Sequence, residues 1–226
     1  GHPIFRYETR EVGFADGEKV SLRKPKLEFK NLQFGELGKE VVISPRAAQA
    51  MVGLGLLEAV PEETILALAK EQEQQGRVSG KPNYVWDMES EKTVLGRFGW
   101  KANQPSIRQQ VAAAFHGDIG ATTYLFHEEN CPAVQTACLD LPSAAKCGGQ
   151  GGCTGNTFRP EVVPSRLTNI TLYLQTLAVP ARRDVEDQDV QRGAKLFAEA
   201  NCSACHIPEL KTGAKPAVAA AANLAI

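Results

Sequence analysis

Apolar residues recur at helical spacing in two stretches of the second half of the chain. Between residues 165 and 179 one face of a predicted helix carries Leu167, Ile170, Leu174 and Leu177, at i, i+3, i+7 and i+10. From about Asp187 onward, a second apolar face is formed by Val190, Ala194 and Phe197. We therefore predict two amphipathic helices, and the second leads directly into the motif Cys202-Ser-Ala-Cys205-His206.

The first half of the chain also favours helices. Ser44 suits a helix N-cap and Pro45 the first helical position, so we expect helix over 44–75, interrupted at Pro61, with the apolar run 47–60 buried. Within that run, Gly53-Leu54-Gly55 is interpreted as a site of close helix packing rather than a phosphate loop. Ser106 and Gln109 have capping-box spacing, which predicts a further helix to about residue 115.

Other segments favour strands and loops. Alternating apolar positions near Val20 and Leu27 predict short strands within residues 1–43, and residues 76–102 read as a polar loop. The resulting expectation is a mainly α fold with short N-terminal strands and long loops. We expect residues 1–159 to form a helical and loop-rich region, including a cysteine-rich segment over 128–160, and residues 160–226 to form a second region that contains the Cys-x-x-Cys-His motif.

Charge and hydropathy exclude several classes of partner. Lys and Arg number 25 against 26 Asp and Glu among 226 residues, so the net charge is near zero and no electrostatic argument favours nucleic acid or an anionic membrane. No apolar run is long enough to span a bilayer. The first residues lack the basic and apolar regions of a signal peptide, so we expect a mature or trimmed chain in which Gly1-His2 is a tag remnant.

Four of the six cysteines lie close together. Cys131, Cys138, Cys147 and Cys153 are separated by six, eight and five residues, whereas a four-cysteine zinc site usually needs two pairs with two to four residues between. We therefore expect two disulfides, with zinc as the alternative, and four cysteines permit three pairings. Disulfides indicate an oxidising compartment.

The remaining two cysteines belong to Cys-x-x-Cys-His, which is typical of c-type haem attachment. Cys202 and Cys205 would add to the two haem vinyl groups, and His206 would be the proximal iron ligand. A thioredoxin-like pair would follow a strand rather than a helix, a zinc half-site would need a second ligand pair, and a structural cysteine pair is the remaining alternative. Because bacteria attach haem outside the cytoplasm, this prediction also indicates a periplasmic protein.

A sixth iron ligand is not evident after the motif. No Met or His follows His206, so the ligand would come from upstream, from another chain or from missing sequence, or would be absent. The upstream candidates, each of which also has a structural interpretation, are Met51, Met88, His116 and His127.

Several segments together resemble bacterial di-haem oxidoreductases related to di-haem cytochrome c peroxidases, sometimes labelled thiol oxidoreductases. The resemblance depends on Ser44-Pro45-Arg46, 53–59, 96–102, 117–122, 177–183 and 202–208, which span most of the chain. It implies that residues 160–226 are part of a cytochrome c-like domain. It also makes Trp100 a candidate electron relay between haems, although a core tryptophan with a hydrogen-bonded indole is the alternative.

The chain departs from that family in carrying one haem motif instead of two. We therefore expect a partial chain, with one covalent haem c here and a second in a missing N-terminal haem region or a partner chain. The expected function is electron transfer in a periplasmic, peroxidase-like haem oxidoreductase that meets an electron-donor protein or a small redox substrate. The alternatives are a non-enzymatic mono-haem carrier and a haem-free, disulfide-stabilised binding domain.

Overall fold

The computed structural model describes residues 1–76, 78–143, 145, 158–214 and 216–226. In chain order its elements are β1 (His2–Gly13), β2 (Lys19–Lys30), α1 (Leu54–Glu58), α2 (Glu62–Gln75), β3 (Tyr84–Asp87), β4 (Lys92–Leu95), α3 (Ile107–Ala114), a π-helical turn (Phe115–Ile119), α4 (Thr136–Leu139), α5 (Pro164–Thr176), α6 (Gln188–Glu199) and two 3₁₀ turns (Cys202–Ala204 and Ala219–Ala221). They fall into two compact units, residues 1–48 with 131–141 and residues 49–130 with 142–226. The expected boundary near residue 160 stays a prediction.

The mainly α prediction is wrong, because the described part of the chain is 32% helix and 17% strand, with two small antiparallel sheets. The N-terminal strands exist but are not short: β1 and β2 pair over 12 residues each, from His2 opposite Lys30 to Gly13 opposite Lys19. Alternation places Phe5, Tyr7 and Leu27 on one face of this ribbon. Both strands contain few apolar residues among many charged ones, so the sequence alone does not indicate how long the strands are.

The first unit has no buried hydrophobic core among its described residues, since every side chain there is at least partly exposed. Cys138, within α4, forms a disulfide with Cys131 in the segment before that helix, which confirms a disulfide in the cysteine-rich segment. That bond also takes two of the four thiolates that a zinc site would need. Cys147 and Cys153 lie outside the described residues.

The core of the second unit forms where α3 packs on α5. Its buried residues are Phe98, Ile107, Val111, Ala112, Leu125, Val162, Leu167 and Leu174. The predicted amphipathic helix over 165–179 is confirmed as α5, which buries Leu167 and Leu174. The predicted cap of α3 is confirmed in part: the Ser106 hydroxyl accepts the Gln109 N–H at 3.2 Å.

Two predictions of local structure are wrong. Residues 44–53 are not helical, because Gly53 has φ +74°, a left-handed conformation, and its N–H donates to Leu177 O at 2.9 Å. The supposed polar loop 76–102 contains the β3–β4 hairpin. The Gln109 amide stabilises that hairpin by donating to Trp86 O at 3.0 Å and accepting the Met88 N–H at 2.8 Å. Neither contact has a local sequence signal.

Close packing at Gly53-Leu54-Gly55 is confirmed. A Cβ on Gly55 would lie 2.0 Å from the carbonyl oxygen of Gln175, so α1 and α5 approach to backbone contact. Glu58, at the end of α1, accepts the Ile107 N–H at 2.8 Å and the Gln175 amide at 2.6 Å, and thereby joins α1 to α3 and α5. In the described part of the chain, no helix combines the length and apolarity needed to cross a bilayer.

Candidate functional site

The motif Cys202-Ser-Ala-Cys205-His206 follows α6 almost without a break. The Asp187 carboxylate caps α6 by accepting the Asp189 N–H at 2.7 Å, which confirms the predicted helix start. Asn201 then adopts a left-handed conformation at φ 59°, which ends the helix and begins a 3₁₀ turn over Cys202–Ala204. We call residues 201–206 the motif turn.

Hydrogen bonds within the motif turn place both cysteines and the histidine on one compact loop. The carbonyl of Cys202 accepts the Cys205 N–H at 3.2 Å and the His206 N–H at 2.9 Å. Both thiols are free, with Cys202 half-buried and Cys205 exposed. His206 is exposed, and its ring meets Phe197 edge-on with 5.8 Å between ring centroids. The aromatic residue of α6 therefore lies beside the imidazole, on the face predicted to be apolar.

The apolar face of α6 is uncovered. Val190 is half-buried, and the rest of the helix is exposed, including Phe197 at 44%. A helix with apolar residues on one stripe normally buries that stripe. The free thiols, the adjacent imidazole and this open apolar face together fit a covalently held, flat apolar group such as haem.

Longer-range contacts fix the motif turn to the rest of the second unit. The side-chain amide of Gln72, on α2, donates to the carbonyl oxygen of Ala204 at 2.9 Å. Downstream, Gly213 N–H donates to Ala59 O at 2.8 Å. Leu210 and Ile226 exchange two backbone hydrogen bonds of 2.7 and 2.8 Å, which closes the C-terminal segment on itself.

A cavity of about 220 Å³ lies against the motif and also reaches the loop that carries Trp100. Ile207, next to His206, lines it together with Ala102, Gln72 and apolar residues of α2. Phe98 and Gln104 form an isolated antiparallel β-bridge, and Trp100 lies in the turn between them. We call residues 98–104 the Trp100 turn. The structure thus brings this turn near the motif, although the sequence separates them by about a hundred residues.

Trp100 itself is 56% exposed, so its interpretation as a core tryptophan is wrong. Gly99 has φ +82° and Asn103 packs against it, which turns the chain so that Trp100 faces outward. The Asn83 side chain donates to Lys101 O and Ala102 O at 3.0 and 3.1 Å and holds the turn in place. The relay role of Trp100 stays a prediction.

Of the four upstream candidates for a sixth iron ligand, the two histidines contact aromatic rings and the two methionines are exposed. His116 stacks on Phe126 at 5.2 Å and bonds the Glu128 carbonyl at 3.0 Å, while the His127 ring lies 4.4 Å from Phe158. Met51 and Met88 are exposed at 57% and 39%. Among the described residues, no cluster of three or more His, Cys, Asp or Glu side chains could hold a metal ion. A haem needs no such cluster, because its porphyrin supplies four ligands.

Two ionisable groups of the second unit have shifted pKa values. Burial lowers the pKa of Arg97, opposed by the carboxylates of Glu62, Glu58 and Glu63. Its guanidinium donates to Val60 O at 2.8 Å, beyond the end of α1. Burial raises the pKa of Tyr124, as does the hydrogen bond that its hydroxyl donates to Glu89 at 2.7 Å. Both groups maintain the architecture around α1 and α3.

Sequence reasoning identified the motif and the aromatic residue of α6, but it missed Gln72. Nothing in the local sequence marks this glutamine, because its partner lies 132 residues away. The sequence hints only that the Ala204 carbonyl needs a hydrogen-bond donor. Pro208 follows Ala204 by four residues and has no N–H that could donate to this carbonyl.

Comparison with known proteins supports the resemblance given by the motifs. A family model described as "Di-haem oxidoreductase, putative peroxidase" matches residues 2–226. No curated protein and no solved structure matches the chain. Since the match covers almost every residue, the chain belongs to the family of di-haem oxidoreductases.

Proposed function

We propose that this chain binds one covalent haem c through Cys202, Cys205 and His206 and transfers electrons in a peroxidase-like periplasmic oxidoreductase. The observation that carries the proposal is the motif turn, where two free thiols and an exposed imidazole share one loop beside the open apolar face of α6. When bound, the haem would supply one-electron chemistry at iron, tuned by its axial ligands and surroundings.

Attachment requires both thiols in the reduced form. Each thiol would add across one vinyl group: a sulfur–carbon bond forms, the thiol hydrogen moves to the other vinyl carbon, and the carbon–carbon double bond becomes single. The addition has no leaving group and needs no external oxidant. Cys202 and Cys205 are free thiols, whereas Cys131 and Cys138 are joined in a disulfide and unavailable for this reaction.

His206 would be the proximal ligand and Phe197 would support its imidazole. The Phe197 ring meets the imidazole edge-on and offers apolar surface to a flat ligand. Trp100, on a turn that shares a cavity with Ile207, would be the relay toward a second haem. The family description names two haems and this chain has one Cys-x-x-Cys-His motif, so we propose that the second haem is held by sequence outside this chain.

Expression with and without a cytochrome c maturation system would test the proposal. We expect the intact mass to increase by one haem, and denaturation should not release that haem. A Cys202→Ser, Cys205→Ser double variant should lose covalent haem. The matched control, Cys131→Ser with Cys138→Ser, changes two cysteines outside the motif and should retain it. A wild-type chain without covalent haem after successful maturation of a reference cytochrome would refute the proposal.

Optical spectra of the loaded protein would separate peroxidase-like chemistry from simple electron carriage. Reaction with peroxide, followed by turnover of an electron donor, supports the oxidoreductase. A low-spin spectrum that peroxide leaves unchanged supports the mono-haem carrier. The comparison should include the complete di-haem protein, because the proposed substrate reaction requires both haems.

A further inference from the structure

We infer that Gln72 is a positioning residue for the motif turn. Its Nε2 donates to the carbonyl oxygen of Ala204 at 2.9 Å, and its Oε1 accepts the Gly80 N–H at 3.2 Å. One amide therefore bonds the motif turn on one side and the segment before β3 on the other. The effect on haem chemistry rests on the proposed function, whereas the effect on the motif turn itself does not.

The Ala204 carbonyl needs such a partner because of the sequence that follows it. In a continuing helix this oxygen would accept the N–H four residues later, but residue 208 is proline, which has none. Carbonyls in the last turn of a helix need a partner from elsewhere. The Gln72 amide satisfies the carbonyl that Pro208 leaves without an intrahelical donor.

Ala204 stands directly between Ser203 and Cys205, so its peptide orientation affects both halves of the motif. The turn's other backbone hydrogen bonds lie within it, from Ala204 N–H to Asn201 O and from Cys205 and His206 N–H to Cys202 O, or lead back to α6, from Asn201 N–H to Ala198 O. Gln72 connects the turn to α2 instead. It shares the wall of the 220 Å³ cavity with Ile65, Ala69 and Ile207, so the contact lies on the packed side of α2.

Two substitutions would separate the donor from the acceptor function of this amide. Gln72→Glu keeps an oxygen that can accept the Gly80 N–H but, when ionised, cannot donate to Ala204. Gln72→Met has similar length and can do neither. The matched control is Gln75→Met on the same helix, because the Gln75 amide donates to Glu71 and is exposed.

The first experiment uses the haem-free chain and measures the alkylation rate of each cysteine by peptide mass spectrometry. One net hydrogen bond corresponds to roughly a threefold to tenfold change in an opening equilibrium. We expect the rate at Cys202, which is half-buried, to rise by about that factor in both Gln72 variants. Gln75→Met should match the wild type. Equal Cys202 rates in the wild type and in both Gln72 variants would overturn the inference.

Circular dichroism would establish that each variant is folded. If Gln72→Met does not fold, Gln72→Glu carries the comparison, because it retains the bond to Gly80. The alkylation result does not depend on haem. A chain that takes up no haem would contradict the proposed function, but the alkylation rates would still decide whether Gln72 positions the motif turn.

The second experiment measures the midpoint potential of the haem-loaded protein. Gln72→Met removes both hydrogen bonds of the amide without adding a charge, so we expect it to shift the potential if Gln72 positions the haem ligands. Gln75→Met, which removes an exposed bond to Glu71, should leave the potential unchanged. A merely structural role would reduce stability without moving the potential. An unchanged potential in Gln72→Met would therefore refute positioning of the haem by Gln72.

Discussion

Replacing Gly55 by alanine should separate α1 from α5. The added Cβ would lie 2.0 Å from the Gln175 carbonyl oxygen and 2.7 Å from its carbon. Non-bonded carbon and oxygen atoms normally stay about 3.5 Å apart, so α1 would have to withdraw by about 1.5 Å. The obstacle is backbone, and no rotamer change of a neighbouring side chain would relieve it.

The free-energy cost follows from the contacts that this withdrawal breaks. Overpacking costs about 1–3 kcal/mol. The bonds from Gly53 N–H to Leu177 O and from the Gln175 amide to Glu58 would lengthen beyond hydrogen-bond distance, at about 1 kcal/mol each. Alanine recovers about 1 kcal/mol through its higher helix propensity. We therefore expect Gly55→Ala to lower the free energy of unfolding by about 2–4 kcal/mol.

Thermal and urea unfolding would measure this change. For a domain of this size each kcal/mol shifts Tm by about 2–4 °C, so Gly55→Ala should lower Tm by about 5–15 °C. The matched control is Gly193→Ala in α6, where an added Cβ would meet no atom within 4 Å. It should leave Tm unchanged or raise it slightly. A Gly55→Ala protein within about 0.5 kcal/mol of the wild type would refute the backbone approach of α1 and α5.

Three further predictions concern the second unit. Leu167→Ala, at a side chain with no exposure, should cost about 2–5 kcal/mol in urea unfolding, and a cost below 1 kcal/mol would contradict its place in the core. Arg97→Met should cost about 1–3 kcal/mol by the same measurement, because the Val60 carbonyl loses a buried donor; an unchanged midpoint would show that water replaces the guanidinium. Tyr124 has a raised pKa, so it contributes stability that is complete below the ordinary phenol pKa of about 10 and is lost as pH rises through its folded pKa. Unfolding measured at stepped alkaline pH should therefore show a steeper loss for the wild type than for Tyr124→Phe, and parallel curves would contradict the role of the bond to Glu89.

Elements with a strong local signal are predictable from this sequence. The apolar spacing of α5 places Leu167 and Leu174 in the core as expected. Ser106 caps α3 as expected. The Cys-x-x-Cys-His motif indicates covalent haem attachment from its residue spacing alone, without knowledge of the fold. In each case the residues that determine the structure lie within about two helical turns of one another.

The errors arise where distant residues decide the local structure. Alanines and apolar residues over 47–53 favour helix, yet Gly53 adopts a left-handed conformation that lets its N–H reach Leu177 O. Polar residues around β3 suggest a loop, yet the Gln109 amide from α3 satisfies the backbone at Trp86 and Met88. The hydrogen bond from the Gln72 amide to the Ala204 carbonyl likewise joins residues that are distant in the sequence. No periodicity in the chain encodes these contacts, because they depend on the tertiary arrangement.

The open face of α6 connects the fold to the proposed function. Phe197 is 44% exposed and Leu196 55%, although burying such a side chain fully would contribute roughly 1.5–3 kcal/mol. If haem attaches at Cys202 and Cys205, the face that Phe197 and Val190 share gains a permanent apolar neighbour. Attachment would then stabilise α6 as well as fix the cofactor. The proposal therefore requires α6 to exchange amide hydrogens more slowly in the haem-loaded protein, and equal exchange with and without covalent haem would mean that the haem does not cover this face.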